Sequence, residues 1–112
     1  MQIATREVGK VLVIDLAGRL DSRTAGEVGD RMDAIGISDA RQVVLNLAKL
    51  DFVSSAGLRV ILRLARLLQT HGGDLQIGAA QPMVTEVLTT AGFDSLISIH
   101  PTEAAAIAAS GA

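Results

Sequence analysis

Residues 43–62, VVLNLAKLDFVSSAGLRVIL, decide the fold, because they carry a strand, a loop and a helix in one run. Residues 41–47 are apolar on both faces, which predicts a central strand covered from two sides. Two serines follow, and an apolar pattern with helical spacing then runs from about Ser55 to His71. This stretch therefore predicts a strand that leads directly into a helix, as in an α/β sheet.

A β-hairpin and a helix are predicted before this run. Gly9 and Lys10 suit a tight turn between two strands, and Gly18 is expected to end the second strand. Thr24 and Glu27 are spaced as a capping box, which predicts that a helix begins there.

Two further strands and two further helices are predicted after it. Residues 75–79 and 96–99 are short apolar strands. Pro82 opens the helix between them, Gly92 ends it, and a last helix begins at residues 101–103. The expected apolar stripe of the helix opened by proline is Met83, Val87, Leu88 and Ala91. The order β-β-α-β-α-β-α-β-α predicts a small α/β sandwich: a mixed, mostly parallel sheet of four to five strands, an N-terminal antiparallel hairpin and about four helices.

Composition narrows the function classes. The 112 residues are expected to form one domain, residues 1–112, and 49% of them are hydrophobic. Aromatic residues are only 2% and the formal net charge is −2, so neither base stacking nor a phosphate-binding surface for nucleic acid is expected. Cysteine is absent, the start does not resemble a signal peptide, and charged residues interrupt the apolar segments. We therefore expect a cytoplasmic protein without membrane insertion.

Two loops are predicted at the edge where the parallel strands end, which is the usual functional edge of such a sheet. They are residues 18–24 and 51–57. A serine at the start of a helix most often caps it by accepting hydrogen bonds from free N–H groups. The same N–H groups also bind anions, so a phosphate on Ser55 would be held there. Judged from the residues alone, capping is the preferred interpretation, and phosphorylation stays open.

The helix after the serines has a charged stripe and a wide apolar arc. Arg59, Arg63 and Arg66 fall on one narrow stripe. The residues expected to face the sheet are Leu58, Ile61, Leu62, Ala65 and Leu68, and the arc is widened by Val60, Leu64 and Leu67. Either a neighbouring helix covers the additional residues, or they form part of a protein-binding face.

Catalytic and metal sites find little support. A serine hydrolase needs a base beside its nucleophile, and His71 lies at the far end of the helix while His100 precedes a proline. The motif G-x-S-x-G is missing around the serines. Ligand spacing for a metal and a glycine loop for a nucleotide are also missing, so neither metal nor cofactor is expected.

Two motifs resemble those of a known family, the STAS-domain anti-sigma factor antagonists. DFVSSAGLRVIL, preceded by VVLNLAKL, is similar to the signature of that family, and GRLDSRTA is similar to its second marked loop. The resemblance covers essentially the whole chain. It implies a module without catalytic activity that binds an anti-sigma factor and so releases the sigma factor.

The resemblance also implies how such a module is regulated. The anti-sigma factor is expected to be a serine-protein kinase of the HATPase type, and a PP2C-type phosphatase reverses its action. Ser55 matches the phosphorylated serine, and Ser54 is a rival because it stands where many members carry Asp. The implied partner-binding residues are Asp21, Ser22, Thr24, Ser54, Ser55, Gly57, Leu58, Arg59 and Arg63. The alternatives are a STAS accessory subunit of a membrane transport assembly and, less favoured, a small serine hydrolase.

Overall fold

A computed structural model describes residues 1–110 of the chain as five strands and four α-helices. The elements are β1 (Gln2–Val8), β2 (Val11–Leu20), α1 (Ala25–Gly36), β3 (Gln42–Val53), α2 (Ser55–Thr70), β4 (Asp74–Gly78), α3 (Pro82–Thr90), β5 (Ser98–His100) and α4 (Glu103–Ala109). A short 3₁₀ turn, Phe93–Ser95, lies between α3 and β5. The predicted element order is confirmed.

The sheet follows the order of the chain, β1-β2-β3-β4-β5. Strands β1 and β2 are antiparallel, and the other neighbours are parallel, as predicted. Every crossover advances in the same direction, so right-handed connections place α1, α2 and α3 on one face. The main core lies between those helices and the sheet, and its largest fully buried side chains include Ile14, Leu45, Leu64, Leu68 and Ile77.

Helix α4 packs on the opposite face of the sheet and covers only part of it. Ala106 of α4 packs with Val11, Val13 and Val44 in a small second cluster. Arg6 of β1 forms an ion pair with Asp15 at 2.8 Å and a second one with Glu103 at the start of α4. The hydrogen bond from Arg6, with a further one from Asn46, holds the pKa of the Glu103 carboxyl below its usual value. These contacts fasten the first strand to the last helix.

Both strands that carry the predicted loops are longer than the sequence suggested. The prediction that Gly18 ends β2 is wrong, because the strand continues to Leu20. Gly18 has φ +111° and stands at a shift in the pairing with β3, so this glycine forms a bulge within the strand. Strand β3 likewise continues past residue 47 to Val53.

The last strand and the stripe of α3 are also shifted from their predicted places. In α3 the buried residues are Val84 and Leu88. Met83 is 65% exposed, because successive helix residues point about 100° apart and its side chain is turned away from the buried Val84. Strand β5 begins at Ser98 instead of residue 96, and it continues through His100, one residue past the predicted end.

Helix α1 covers the wide apolar arc of α2 on one side. Val60 and Leu67 are half-buried, and they face Gly29 and Gly36 of α1. A Cβ atom at Gly36 would lie 2.9 Å from the Cβ of Leu67, so glycine permits this close approach. For Val60 and Leu67, the interpretation that a neighbouring helix covers the additional apolar residues is therefore correct.

Gly57 allows α2 to begin directly over the end of β2. A Cβ atom at this position would lie 2.8 Å from the carbonyl oxygen of Leu20 and 2.9 Å from Cγ2 of Val53. Since the backbone oxygen cannot move aside as a side chain can, only glycine fits here without displacing β2.

We expect the substitution Gly57→Ala to lower the free energy of unfolding by about 1–3 kcal/mol through this overlap. The matched control is Gly26→Ala in α1, where a Cβ atom would meet nothing within 4 Å. There the higher helix propensity of alanine should raise the free energy of unfolding by up to about 1 kcal/mol. Urea unfolding measures both, and equal effects of the two substitutions would contradict the close packing at Gly57.

Candidate functional site

The two loops predicted at the functional edge lie side by side. Leu20, the last residue of β2, pairs with Val53, the last residue of β3. The N–H of Ser54 donates to the carbonyl of Leu20 at 2.9 Å, which joins the start of one loop to the start of the other. The candidate site, here called the switch edge, consists of residues 19–24 together with residues 51–59.

The loop after β2 is folded around the carboxylate of Asp21. Its Oδ1 accepts hydrogen bonds from the N–H groups of Arg23, at 2.9 Å, and Thr24, at 3.3 Å. The bond from Arg23 is the main reason why the pKa of Asp21 lies below its ordinary value. Asp21 is thus ionised at neutral pH and holds a turn before α1, while its neighbour Ser22 is exposed.

The predicted capping box of α1 is wrong. Thr24 occupies the capping position, but its hydroxyl makes no cap hydrogen bond to the helix. It accepts from the N–H of Asp21 at 3.0 Å and donates to the carbonyl of Arg19 at 2.8 Å. The threonine therefore closes the loop on itself, because the Asp21 turn brings those backbone groups closer than the start of the helix.

The two serines have different roles in the structure. Ser54 has an extended backbone and caps α2, accepting from the N–H of Gly57 at 3.3 Å. Ser55 is the first residue of the helix, and its side chain is exposed. Its hydroxyl makes no hydrogen bond within residues 1–110. The expected capping serine is thus Ser54, which leaves Ser55 available for another role.

Sequence reasoning missed an aromatic residue and an arginine at the switch edge. Phe52 is 36% exposed, and the guanidinium carbon of Arg19 lies 4.2 Å from the centre of its ring. Arg19 also lies 3.7 Å from the carboxylate of Asp21. The available signal was composition, because Phe52 is one of only two phenylalanines in the chain.

The loop before α3 also reaches the switch edge. The side-chain amide of Gln81 donates to Asp51 at 3.2 Å and to the carbonyl of Ala48 at 3.1 Å. These bonds fix the start of α3 against the end of β3, so the first turns of α2 and α3 are held close to the same edge.

The first turns of α2 provide three of the predicted partner-binding side chains. Leu58 is half-buried, and Arg59 and Arg63 are exposed. Arg63 points toward α1, where its Nε lies 2.7 Å from the carboxylate of Asp33. Arg59 lies one helical turn beyond Ser55, on the same side of α2.

Neither histidine stands beside the serines. His71 ends α2, about 24 Å along the axis from Ser55, and its Nδ1 contacts the carbonyl of Leu67. His100 contacts the side chain of Gln76 at 2.7 Å. A serine hydrolase would need one of them as a base, so the arrangement does not support that alternative.

A metal site and a membrane-spanning helix are both missing from the part of the chain that the structure describes. Within residues 1–110, no group of three or more His, Asp or Glu residues is arranged to hold a metal ion. Over the same residues, no helix combines the length and the apolar character needed to cross a membrane.

Comparison with known proteins gives consistent matches. Residues 2–106 match the STAS domain. The sequence is 34% identical over 109 residues to BtrV of Bordetella bronchiseptica, a protein named as an anti-sigma factor antagonist, covering 97% of this chain and 94% of that protein.

Solved structures with the same fold carry similar names. An anti-sigma factor antagonist from Mycobacterium paratuberculosis superposes with a TM-score of 0.90 at 21% identity, covering 99% of this chain and 94% of that one. The Bacillus cell fate determinant SpoIIAA in its phosphorylated form gives a TM-score of 0.72 at 22% identity, covering 95% and 96% of the two chains.

The different roles of the two serines predict different effects on stability. Ser54→Ala removes the cap of α2 and should lower the free energy of unfolding by about 1 kcal/mol. Ser55→Ala changes an exposed side chain and should alter it by less than about 0.5 kcal/mol. Thermal or urea unfolding of both variants measures the difference. A larger loss in Ser55→Ala than in Ser54→Ala would contradict the assignment of the cap.

Proposed function

Because the chain belongs to the STAS-domain family of anti-sigma factor antagonists, we propose that it is a binding module switched by phosphorylation. In its unphosphorylated form it binds an anti-sigma factor, and the sigma factor is released. The anti-sigma factor is itself a serine-protein kinase of the HATPase type, and it ends the interaction by phosphorylating Ser55. A PP2C-type phosphatase restores binding, and the module has no catalytic activity of its own.

The observation that carries this proposal is the position of Ser55. Its hydroxyl is exposed at the first turn of α2, directly beside the loop of Asp21. Capping does not require this hydroxyl, because Ser54 performs that role. The next residue, Ala56, carries only a methyl group, so a kinase active site can approach Ser55 closely.

The start of α2 is suited to hold a phosphate. The first N–H groups of a helix have no partner within the helix, and the helix dipole places partial positive charge there. A phosphoserine carries close to two negative charges at neutral pH. The same charge, at an edge that also carries the carboxylates of Asp21 and Asp51, is costly to bury under a partner.

The partner surface in this proposal is the switch edge with the first turns of α2. The residues that we assign to it are Asp21, Ser22, Thr24, Ser54, Ser55, Gly57, Leu58, Arg59 and Arg63. Gly57 contributes through the close packing of α2 on β2, while the arginines contribute charge at the rim. Rim charges affect association rate and salt dependence more than affinity.

We further propose that residues 1–112 form a single STAS domain without nucleic-acid partners or membrane insertion. The family match over residues 2–106 supports the first statement. The near-balanced charge and the low aromatic content support the statement about nucleic acid.

Phosphorylation should occur on Ser55 and not on Ser54. Candidate HATPase-type kinases are incubated with the protein and ATP, and the modified residue is mapped by mass spectrometry. Ser55→Ala should accept no phosphate, whereas Ser54→Ala should still be modified, because its remaining serine is exposed. Phosphate on Ser54 of the unaltered protein would overturn the assignment.

Phosphorylation should weaken binding without unfolding the domain. At a helix N-terminus the added charge stabilises by about 0.3–1 kcal/mol, so the melting temperature should not fall. Burial of an uncompensated charge costs several kcal/mol, and each 1.4 kcal/mol is a factor of ten, so affinity for the kinase should drop about a hundredfold or more. Both quantities are measured on one phosphorylated sample, with Ser55→Glu as a partial mimic. A marked drop in melting temperature would mean that the switch acts by unfolding, and unchanged affinity would mean that Ser55 is not a switch.

A further inference from the structure

The exposed side of α2 carries a continuous stripe that begins at Ser55. Arg59, Leu62 and Arg66 follow it at intervals of four, three and four residues, which places all four within an arc of about 60°. At 1.5 Å per residue the stripe is about 16 Å long. Both arginines are exposed and Leu62 is half-buried.

An open apolar groove lies beside this stripe, between α2 and α3. It has a volume of about 430 Å³ and is lined by Leu58, Met83, Glu86, Val87, Thr90 and Ala91. Met83 exposes 65% of its surface to solvent at the start of α3. A flexible apolar side chain beside a concave apolar surface is typical of a protein-binding site.

Helix α2 contributes Leu58 to the wall of the groove, and the arginines of the stripe lie outside the groove, on the neighbouring solvent-facing side of the helix. Arg63 is paired with Asp33 on the far side of the helix. Among the residues that the structure describes, no carboxylate lies within 4.0 Å of the guanidinium of Arg59 or Arg66. The chain as a whole has a formal net charge of −2, so the stripe is a positive region on a slightly acidic protein. A binding segment should therefore be acidic along the edge that meets α2 and apolar where it meets the groove.

We propose that the stripe and the groove together bind an acidic amphipathic helix of the anti-sigma factor, an inference that rests on the proposed function. The apolar face of that helix enters the groove against Leu58, Met83 and Val87, in the manner of a helix bound in a groove. Its acidic residues lie over Arg59 and Arg66. A phosphate on Ser55 then stands at the end of the same stripe and repels those acidic residues.

An anionic membrane is the other partner that a basic and apolar surface could meet. The concave shape of the groove and the carboxylate of Glu86 on its wall favour a protein segment, because a lipid surface is flat and negatively charged. The experiment includes vesicles so that this outcome is visible.

The first measurement uses a synthetic peptide of about 15 residues, long enough for the 16 Å stripe. Leucines occupy one face and glutamates the flank, and a companion peptide carries lysines in place of the glutamates. Fluorescence anisotropy should show the acidic peptide bound at least about tenfold more tightly than the basic one. Equal affinities, or preference for the basic peptide, would overturn the proposal. If the protein sediments with phosphatidylglycerol vesicles and Met83→Glu abolishes this, the proposal is overturned and the surface binds a membrane instead.

Variants locate the peptide on the molecule. Binding of the acidic peptide should be at least about tenfold weaker in Met83→Glu. The same loss is expected in the double variant that combines Arg59→Glu with Arg66→Glu. Ile37→Glu is the control for the methionine, because Ile37 is 66% exposed at the end of α1. Lys10→Glu, in the hairpin turn, is the control for the reversed charge. All altered side chains are exposed or rim the groove, and circular dichroism verifies folding. Equal losses in the variants and their controls would overturn the location.

The kinase identified by the phosphorylation assay separates this inference from the proposed function. If it modifies Ser55 and binds Met83→Glu as tightly as the unaltered protein, the groove is excluded while the switch stands. If no kinase modifies Ser55 but the acidic peptide binds at the groove, the surface is supported and the switch is not. Weaker binding of the kinase to Met83→Glu, with Ile37→Glu unaffected, supports both.

Discussion

The hydrogen bond from the N–H of Ser54 to the carbonyl of Leu20 is the contact on which the arrangement of the functional edge depends. It joins the ends of β2 and β3 at the point where both strands give way to loops. Gly57 makes the contact possible, because any side chain there would collide with that carbonyl oxygen. The Asp21 turn, the helix cap and the exposed Ser55 all take their positions from this one junction.

The sequence was sufficient for the architecture because the periodic signals were long and separate. Strands β2 and β3 and helix α2 have strong apolar patterns, and Gly9 and Gly92 mark real turns with positive φ. Local hydrogen bonding was harder to predict, since several polar groups competed for the same donors. Thr24 and Glu27 fit a capping box by spacing, but the Asp21 carboxylate folds the loop so that the Thr24 hydroxyl bonds to the backbone of Arg19 and Asp21 instead.

Glycines and short strands account for most of the other differences. Glycine is common both at strand ends and at bulges within strands, and a sequence alone does not separate these two cases. Gly18 has the conformation of a bulge. The site residues from the two motifs do meet in space, as their places on adjacent strands predicted. Phe52 and Arg19 were missed, and Met83 was assigned to the apolar stripe of α3, because the exposure of all three follows only from the packed structure.

The order of the strands in the sheet has a consequence for how the protein is made. Because each strand pairs with the one synthesised before it, a chain emerging from the ribosome extends the sheet at a single growing edge, and no later strand has to insert between earlier ones. The ion pair between Arg6 and Glu103, which are 97 positions apart, can close only after residue 103 has been translated. The segments that form the switch edge are thus all translated before residues 71–112 follow.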